Sequence, residues 1–349
     1  MLEIEHPIIQ APMAGGATTP GLVAAVSNAG SLGSLGAGYL PPEEIREAIR
    51  EIRRLTERPF AVNLFIPEDF EAKSEEIENS NTLMRVYQEE LGMESLAAPA
   101  SYAQTFEKQF EVVLEEEVPV FSFTFGALAE DLIGALKERG ARVIGTATTV
   151  REGLRLEADR VDMVVGQGAE AGAHRGTFMG DFEDAMVGTM ALIPQLTDAL
   201  RAPVIASGGI MDGRGMAASL MLGAGAAQMG TAFLACEESG IHPAYKEAIL
   251  KANEEDTSIT RAFSGKPARG IKNRFLIEMA GRESELPPYP VQNALTRDLR
   301  SAAQKQNRPE FMSLWAGQGA RLTRSLPAAD LIATLLEETE AALHQWSIR

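Results

Sequence analysis

Cysteine is almost missing from this chain: Cys236 is the one thiol in 349 residues. An intramolecular disulfide is excluded, which suits a reducing cytosol, and a cytoplasmic location is the expectation. Histidine is nearly as scarce, at four residues. No His-x-x-x-His and no cysteine pair gives metal-ligand spacing, so no metal is expected. Basic charge is also short, with 32 Lys and Arg against 49 Asp and Glu and a net charge of −17. A field of that sign argues against nucleic acid and against anionic membrane surfaces as partners. It leaves room for a small anionic ligand, because backbone amides and a local Arg or His set the field inside a pocket. The N-terminal Met1–Glu5 is acidic and lacks a basic stretch before an apolar one, so no signal peptide is expected. One uncharged run, Met216–Cys236, is long enough to raise the question of a membrane span. It contains Gly223, Gly225, Gln228 and Gly230 and changes period midway, which fits helix, turn and buried strand better. A Walker phosphate loop and a Gly-x-Ser-x-Gly nucleophile elbow are both lacking. Cys236 has no histidine near it in sequence and reads as a small buried hydrophobe.

What is present is an alternation. Residues are 45% hydrophobic and 23% charged, enough apolar material for a large core. Apolar β-rich runs occur at Pro7–Ala11, Ser31–Leu35, Phe60–Phe65, Val118–Phe123, Arg142–Gly145, Asp162–Val165, Pro203–Ala206 and Ala226–Met229. Helical patterns separate them, the clearest being Pro41–Thr56 with Ile45, Ile49, Ile52 and Leu55 at helical spacing. Eight strand–helix alternations with near-continuous apolar strands predict a parallel α/β fold, a (β/α)₈ TIM barrel, with an open doubly wound sheet as the alternative. The charged stretch 67–117 is longer than a βα connection needs and reads as a helical insertion after strand three. Residues 237–349 read as a C-terminal helical extension partly covering the open end. No linker separates a second domain, so residues 1–349 are expected to form one domain.

In such a barrel, ligands sit at the C-terminal ends of the strands. After strand one comes Pro12-Met13-Ala14-Gly15-Gly16, whose glycines let backbone approach a flat ligand. Strand three carries Asn63, an amide able to donate and accept at a heteroaromatic edge. After strand six lies the run Gly166–Gly176, with four glycines and the polar side chains Gln167, Glu170, His174 and Arg175. A histidine there can give or take a proton near neutral pH, making His174 the catalytic candidate. Glu170 is expected to bond loop amides. Ser207-Gly208-Gly209-Ile210 follows strand seven and Gly230-Thr231 follows strand eight, with Gln228 and Met229 just before it. Barrels that bind phosphate-bearing cofactors use these two loops.

These segments resemble the nitronate monooxygenases, formerly 2-nitropropane dioxygenases, over roughly the whole barrel. The similarity rests on Gln10–Gly16, Gly168–Gly176, Ile205–Ile210, Gln228–Thr231 and Leu314–Ala320. The resemblance implies FMN, contacted by Asn63, Gln167, Gly172, Gly209, Gln228, Met229, Gly230 and Thr231, with His174 facing the isoalloxazine ring. Ala11, Pro12, Met13 and Gly208 join them as cofactor-binding candidates. It also implies oxidation of a small-molecule nitronate by O₂ to a carbonyl compound and nitrite, the flavin carrying the redox chemistry. Two positions depart from the pattern: Ala173 stands where relatives usually have a second glycine, and Thr124 where some have histidine.

Two other enzymes share this fold, a flavin-dependent enoyl reductase acting on an acyl-carrier protein and an NADH:quinone oxidoreductase. The first would need a basic surface for its acidic carrier, for which Lys266, Arg269, Lys272 and Arg274 are the candidates. A flavin-binding regulatory protein would not need His174. Nothing in the sequence fixes the oligomeric state; a homodimer is the commonest symmetric arrangement.

Overall fold

The computed structural model describes residues 2–93, 99 and 101–347. Part of the expected insertion, residues 94–98 and 100, lies outside the described residues. The eight expected strands form one parallel sheet. They span Ile8–Gln10, Gly33–Gly36, Phe60–Phe65, Val120–Thr124, Arg142–Ala147, Met163–Gln167, Val204–Ser207 and Ala226–Met229. Each pairs with its sequence neighbours, and the first also pairs with the last through Ile8 opposite Ala227. Strands one and two close the ring through Gln10 N–H to Leu32 O at 2.9 Å and Leu32 N–H to Ile8 O at 3.0 Å. The barrel interior and the layer under the helices are filled by side chains such as Phe121, Phe123, Val164 and Ile205, all essentially inaccessible.

Local chemistry explains the helices. Pro42–Leu55 starts on proline, carries Glu43 and Glu44 in its first turn and Arg53 and Arg54 in its last, and buries Ile45, Ile49 and Ile52. The two long irregular segments divide differently from the sequence reading. The end of the 67–117 segment, Phe106–Glu115, packs against Pro42–Leu55 and strand three, where the barrel's third helix belongs. The true insertion therefore ends before Phe106. Likewise Ala328–Ser347, the end of the extension, packs between Gly213–Met221 and Pro20–Asn28 and completes the outer ring as its eighth helix. Gly213 permits that contact: a Cβ there would lie 2.3 Å from Glu338 Cβ.

What remains of both segments builds a second apolar cluster. Met84 and Tyr87 of the insertion helix Ser74–Glu90 meet Phe263, Phe275, Phe311 and Leu314 of the extension. Glu90 adds ion pairs to Arg274 at 2.7 Å and Arg308 at 2.6 Å. The extension also contributes a small antiparallel sheet, in which Thr257–Thr260 pairs with Ala268–Ile271 and the latter with Ala173–His174. Among the described residues, no helix is long and apolar enough to cross a membrane.

Candidate active site

A cavity of about 900 Å³ opens at the C-terminal ends of the barrel strands, beneath the second apolar cluster. That is near the upper end of the roughly 300–1,000 Å³ usual for small-molecule sites. All the candidates line it: Ala11, Pro12, Met13, Asn63, Gln167, Gly172, His174, Gly208, Gly209, Gln228, Met229, Gly230 and Thr231. Thr124 lines it too.

The loops after strands seven and eight present backbone amides to the cavity. Gly208 and Gly209 have φ of 115° and 71°, left-handed backbone that glycine adopts freely. The amides of Gly208, Gly209 and Gly230 donate to no protein acceptor among the described residues. Thr231 Oγ1 accepts from Gly317 N at 2.9 Å, leaving its own proton available. The neighbouring helix Gly213–Met221 contributes less than the sequence suggests, because Asp212 caps it by accepting from Arg214 N at 3.0 Å and Gly215 N at 3.2 Å. Glu170 has the expected structural part: its carboxylate accepts from Thr189 N at 2.9 Å and Thr189 Oγ1 at 2.8 Å, capping the helix Thr189–Ala199 from outside. Among the described residues, no group of three or more His, Cys, Asp and Glu side chains could hold a metal ion.

The His174 loop is tied at several points. Gln167 uses both ends of its amide on it, donating to His174 O at 3.1 Å and accepting from Gly176 N at 2.8 Å. Arg175 is buried and donates to the carbonyls of Gly168, Gln167 and Ala185. Buried Glu152 accepts from Phe178 N and Met179 N. Ala173 adopts φ 59°, the backbone region a glycine would fill without strain. Asn63 donates to Ser122 Oγ at 2.9 Å, which leaves its carbonyl oxygen toward the cavity uncommitted. Gln228 makes no side-chain hydrogen bond among the described residues.

The surroundings of His174 come mostly from residues the sequence did not single out. Nε2 is 2.8 Å from Ser264 Oγ, which itself lies 3.1 Å from Lys266 O. The rings of Phe125, Tyr289 and Trp315 stand 5.8, 6.0 and 5.5 Å from the imidazole. Phe125 reaches this position with φ 78°, a rare backbone for a bulky residue. Burial pulls the His174 pKa down to about 3, and the positive charges of Lys266 and Arg300 act in the same direction. The imidazole is therefore neutral at pH 7. Ser264, Lys266, Tyr289 and Trp315 lie in the polar extension; of these the sequence pointed only to Trp315, within the Leu314–Ala320 similarity, and to Lys266, as part of a carrier surface.

The four basic residues considered for an acidic carrier do not make a free surface. Lys266 pairs with Glu68 at 2.7 Å and sits over Phe125, while Arg269 is buried. Lys272 Nζ donates to Glu255 O, and Arg274 pairs with Glu90 and Glu278.

A sequence model of the family described as nitronate monooxygenase matches residues 1–338. A Staphylococcus aureus (strain MSSA476) protein named probable nitronate monooxygenase is 44% identical over 339 residues, 97% of this chain and 95% of its own. One of the same name from Staphylococcus saprophyticus is 43% identical over 347 residues, 99% of this chain and 98% of its own. Among solved structures, nitroalkane oxidase from Streptomyces ansochromogenes is similar with a TM-score of 0.92 at 40% identity, covering 99% of this chain and 98% of its own. FabK from Thermotoga maritima gives a TM-score of 0.78 at 34% identity, covering 99% and 96%.

Proposed function

The chain belongs to the nitronate monooxygenase family, an oxidoreductase family of flavoproteins, and from that premise we propose that it oxidises alkyl nitronates with O₂ to a carbonyl compound and nitrite. The observation that carries this reading is a neutral histidine and an anion-ready pair of glycine loops on the walls of one cavity. FMN is the cofactor we infer, because the site offers one phosphate cradle and the chain has no second glycine-rich nucleotide motif. Bound there, it would supply the electron-accepting chemistry.

The residues would divide the work as follows. The amides of Gly208, Gly209 and Gly230 and the Thr231 hydroxyl would hold the phosphate. Ala11, Pro12, Met13, Asn63, Gly172, Gln228 and Met229 would border the ring system and ribityl chain, and Gln167 would keep the His174 loop against it. His174, neutral and oriented by Ser264, would accept the carbon-bound proton of a neutral nitroalkane; a nitronate arrives without that proton and needs no base. The aromatic wall and the second apolar cluster would keep bulk water from the reacting atoms. Because the site needs barrel, insertion and extension together, we take residues 1–349 as one domain. The single buried cysteine supports a cytoplasmic location.

The likeness to FabK favours one other reading, a flavin-dependent NAD(P)H oxidoreductase. Anaerobic reduction of the purified holoprotein separates them. Rapid bleaching of the flavin by ethylnitronate with none by NADH or NADPH supports nitronate oxidation, and the reverse pattern overturns it.

A further inference from the structure

The cavity wall also carries a cation without an anion. Arg300 comes from the helix Arg297–Lys305 of the extension and lines the cavity with Tyr39, Tyr289 and Asn293. Its guanidinium touches only neutral acceptors. Nη2 donates to Asn293 O at 2.8 Å and to Asn293 Oδ1 at 2.9 Å, and Nε reaches Thr296 O at 3.4 Å. Nη1 has no acceptor, and no carboxylate stands within ion-pair distance among the described residues. Glu68, the acidic residue on the same wall, is already held by Lys266.

A second donor nearby is likewise uncommitted. The Tyr39 hydroxyl is buried beside that of Tyr289 and has no hydrogen-bond partner of sound geometry. Burial pushes its pKa up to about 12, so it stays a neutral donor. A buried hydroxyl left unmatched is costly unless a ligand takes its proton, and the half-buried Arg300 adds an Nη1 that no protein group holds. Both are linked to His174: the Arg300 charge acts on its pKa, while Tyr39 packs on Phe65 at 5.2 Å, Phe65 on Phe125 at 4.6 Å, and Phe125 on His174 at 5.8 Å.

We propose that Arg300 and Tyr39 form an anion subsite for a planar, two-oxygen anionic group of the substrate, the chemistry shared by a nitronate head and a carboxylate. Arg300 matches such a group because its planar fork and fixed charge complement two coplanar oxygens. The subsite gives the cavity a charged side facing the neutral His174, so binding of the anion and handling of the proton fall to different residues. The proposal rests on the reading of this cavity as an oxidising site, but its test does not depend on that reading.

The experiment uses the flavin-loaded protein and the variants Arg300→Met, Arg300→Lys and Tyr39→Phe. One arm titrates propionate, a non-oxidisable carboxylate, and follows the perturbation of the flavin absorbance. The other follows anaerobic flavin reduction by ethylnitronate and by neutral nitroethane. Arg300→Met should weaken propionate binding, raise the half-saturating ethylnitronate concentration, or both, by roughly 10- to 100-fold, the range for a hydrogen bond to a charged group. Arg300→Lys should recover part of the loss, and half-saturation by nitroethane should stay within about twofold. A change for ethylnitronate identifies the nitronate head as occupant, and a change for propionate alone identifies a second, carboxylate end. Since Arg300 also holds carbonyls of its own helix region, Tyr39→Phe is the milder probe and should weaken the same ligand several-fold. Unchanged affinity for both anions in Arg300→Met and Tyr39→Phe overturns the subsite. A wild-type protein that binds propionate through Arg300 yet is not reduced by ethylnitronate overturns the nitronate reading and leaves the subsite standing.

Discussion

Ser264 Oγ lies 2.8 Å from His174 Nε2, joining a barrel loop to a segment 90 residues further along the chain. Ser264 also reaches Lys266 O, so its proton has an acceptor when His174 Nε2 carries the hydrogen. That arrangement holds the ring orientation and leaves room for His174 Nε2–H to donate to Ser264 while Ser264 donates onward to Lys266 O. Ser264→Ala should retain the flavin and slow its reduction by nitroethane about tenfold, the worth of one hydrogen bond. Rates equal to wild type would remove Ser264 from the mechanism.

His174 itself gives a prediction with a sign. Its pKa of about 3 in the folded protein means that the imidazole remains a base as pH falls through the ordinary histidine value near 6.5. Reduction by nitroethane should therefore show no acid limb between pH 7 and pH 5. His174→Asn should lower that rate by about 10²–10⁴-fold while leaving ethylnitronate less affected. An acid limb near pH 6.5 that disappears in His174→Asn would contradict the neutral, shielded imidazole. Stability follows the same logic. The unfolded chain takes up a proton below about pH 6.5 and the fold does not, so this group costs stability as pH drops from there toward 3. His174→Asn should lose less of its urea resistance than wild type between pH 7 and pH 5.

Phe125 pairs a buried ring with a left-handed backbone, and the two make opposite demands. Removing the ring should cost about 3–5 kcal/mol. Alanine at this φ retains the Cβ strain, whereas glycine does not. Phe125→Gly should thus be more stable than Phe125→Ala by about 1–2 kcal/mol, inverting the usual order. Urea midpoints with equal slopes would decide it; the usual order would mean that the backbone relaxes.

Two of the glycines proposed to hold the phosphate should fail differently. Gly230 has an ordinary φ of −104°, and a Cβ there would sit 3.5 Å from Ala11 Cβ and 3.6 Å from Met13 Sδ. Gly230→Leu should consequently reduce flavin content at nearly native apoprotein stability, because the added side chain extends toward cavity-lining residues. Gly209 at φ 71° would place its Cβ 3.2 Å from Glu170 Cβ, so Gly209→Ala should also destabilise the apoprotein by about 1–2 kcal/mol. Flavin fluorescence released on denaturation and apoprotein melting curves measure both. Full flavin retention in Gly230→Leu would move the phosphate elsewhere.

The barrel was legible because buried parallel strands such as Phe60–Phe65 and Val204–Ser207 read as short apolar runs between helical periods. The glycine loops were legible for a related reason, since few other uses explain Gly208-Gly209 directly after a strand. Phe106–Glu115 was lost inside the insertion: its buried Phe106, Phe110 and Val113 alternate with Glu and Lys, and nothing in that amphipathic pattern says which core it faces. The same ambiguity hid the barrel helix Ala328–Ser347. Arg300, Ser264 and Tyr289 were illegible because their meaning comes from what lies across the cavity, and no local periodicity encodes a partner 90 or more residues away.

The helix Ala328–Ser347 that fills the last place in the outer ring is synthesised after all eight barrel strands. While the ribosome still holds it, Gly213–Met221 and Pro20–Asn28 have an uncovered groove between them, and the strand that pairs with Ala173–His174 has only recently emerged. A nascent chain can have all eight strands outside the exit tunnel and still lack both a sealed wall and a formed His174 loop. Competence for flavin capture therefore waits until the segment from residue 328 on has emerged, and a nascent chain stalled before it leaves that groove as sticky apolar surface for chaperones to cover.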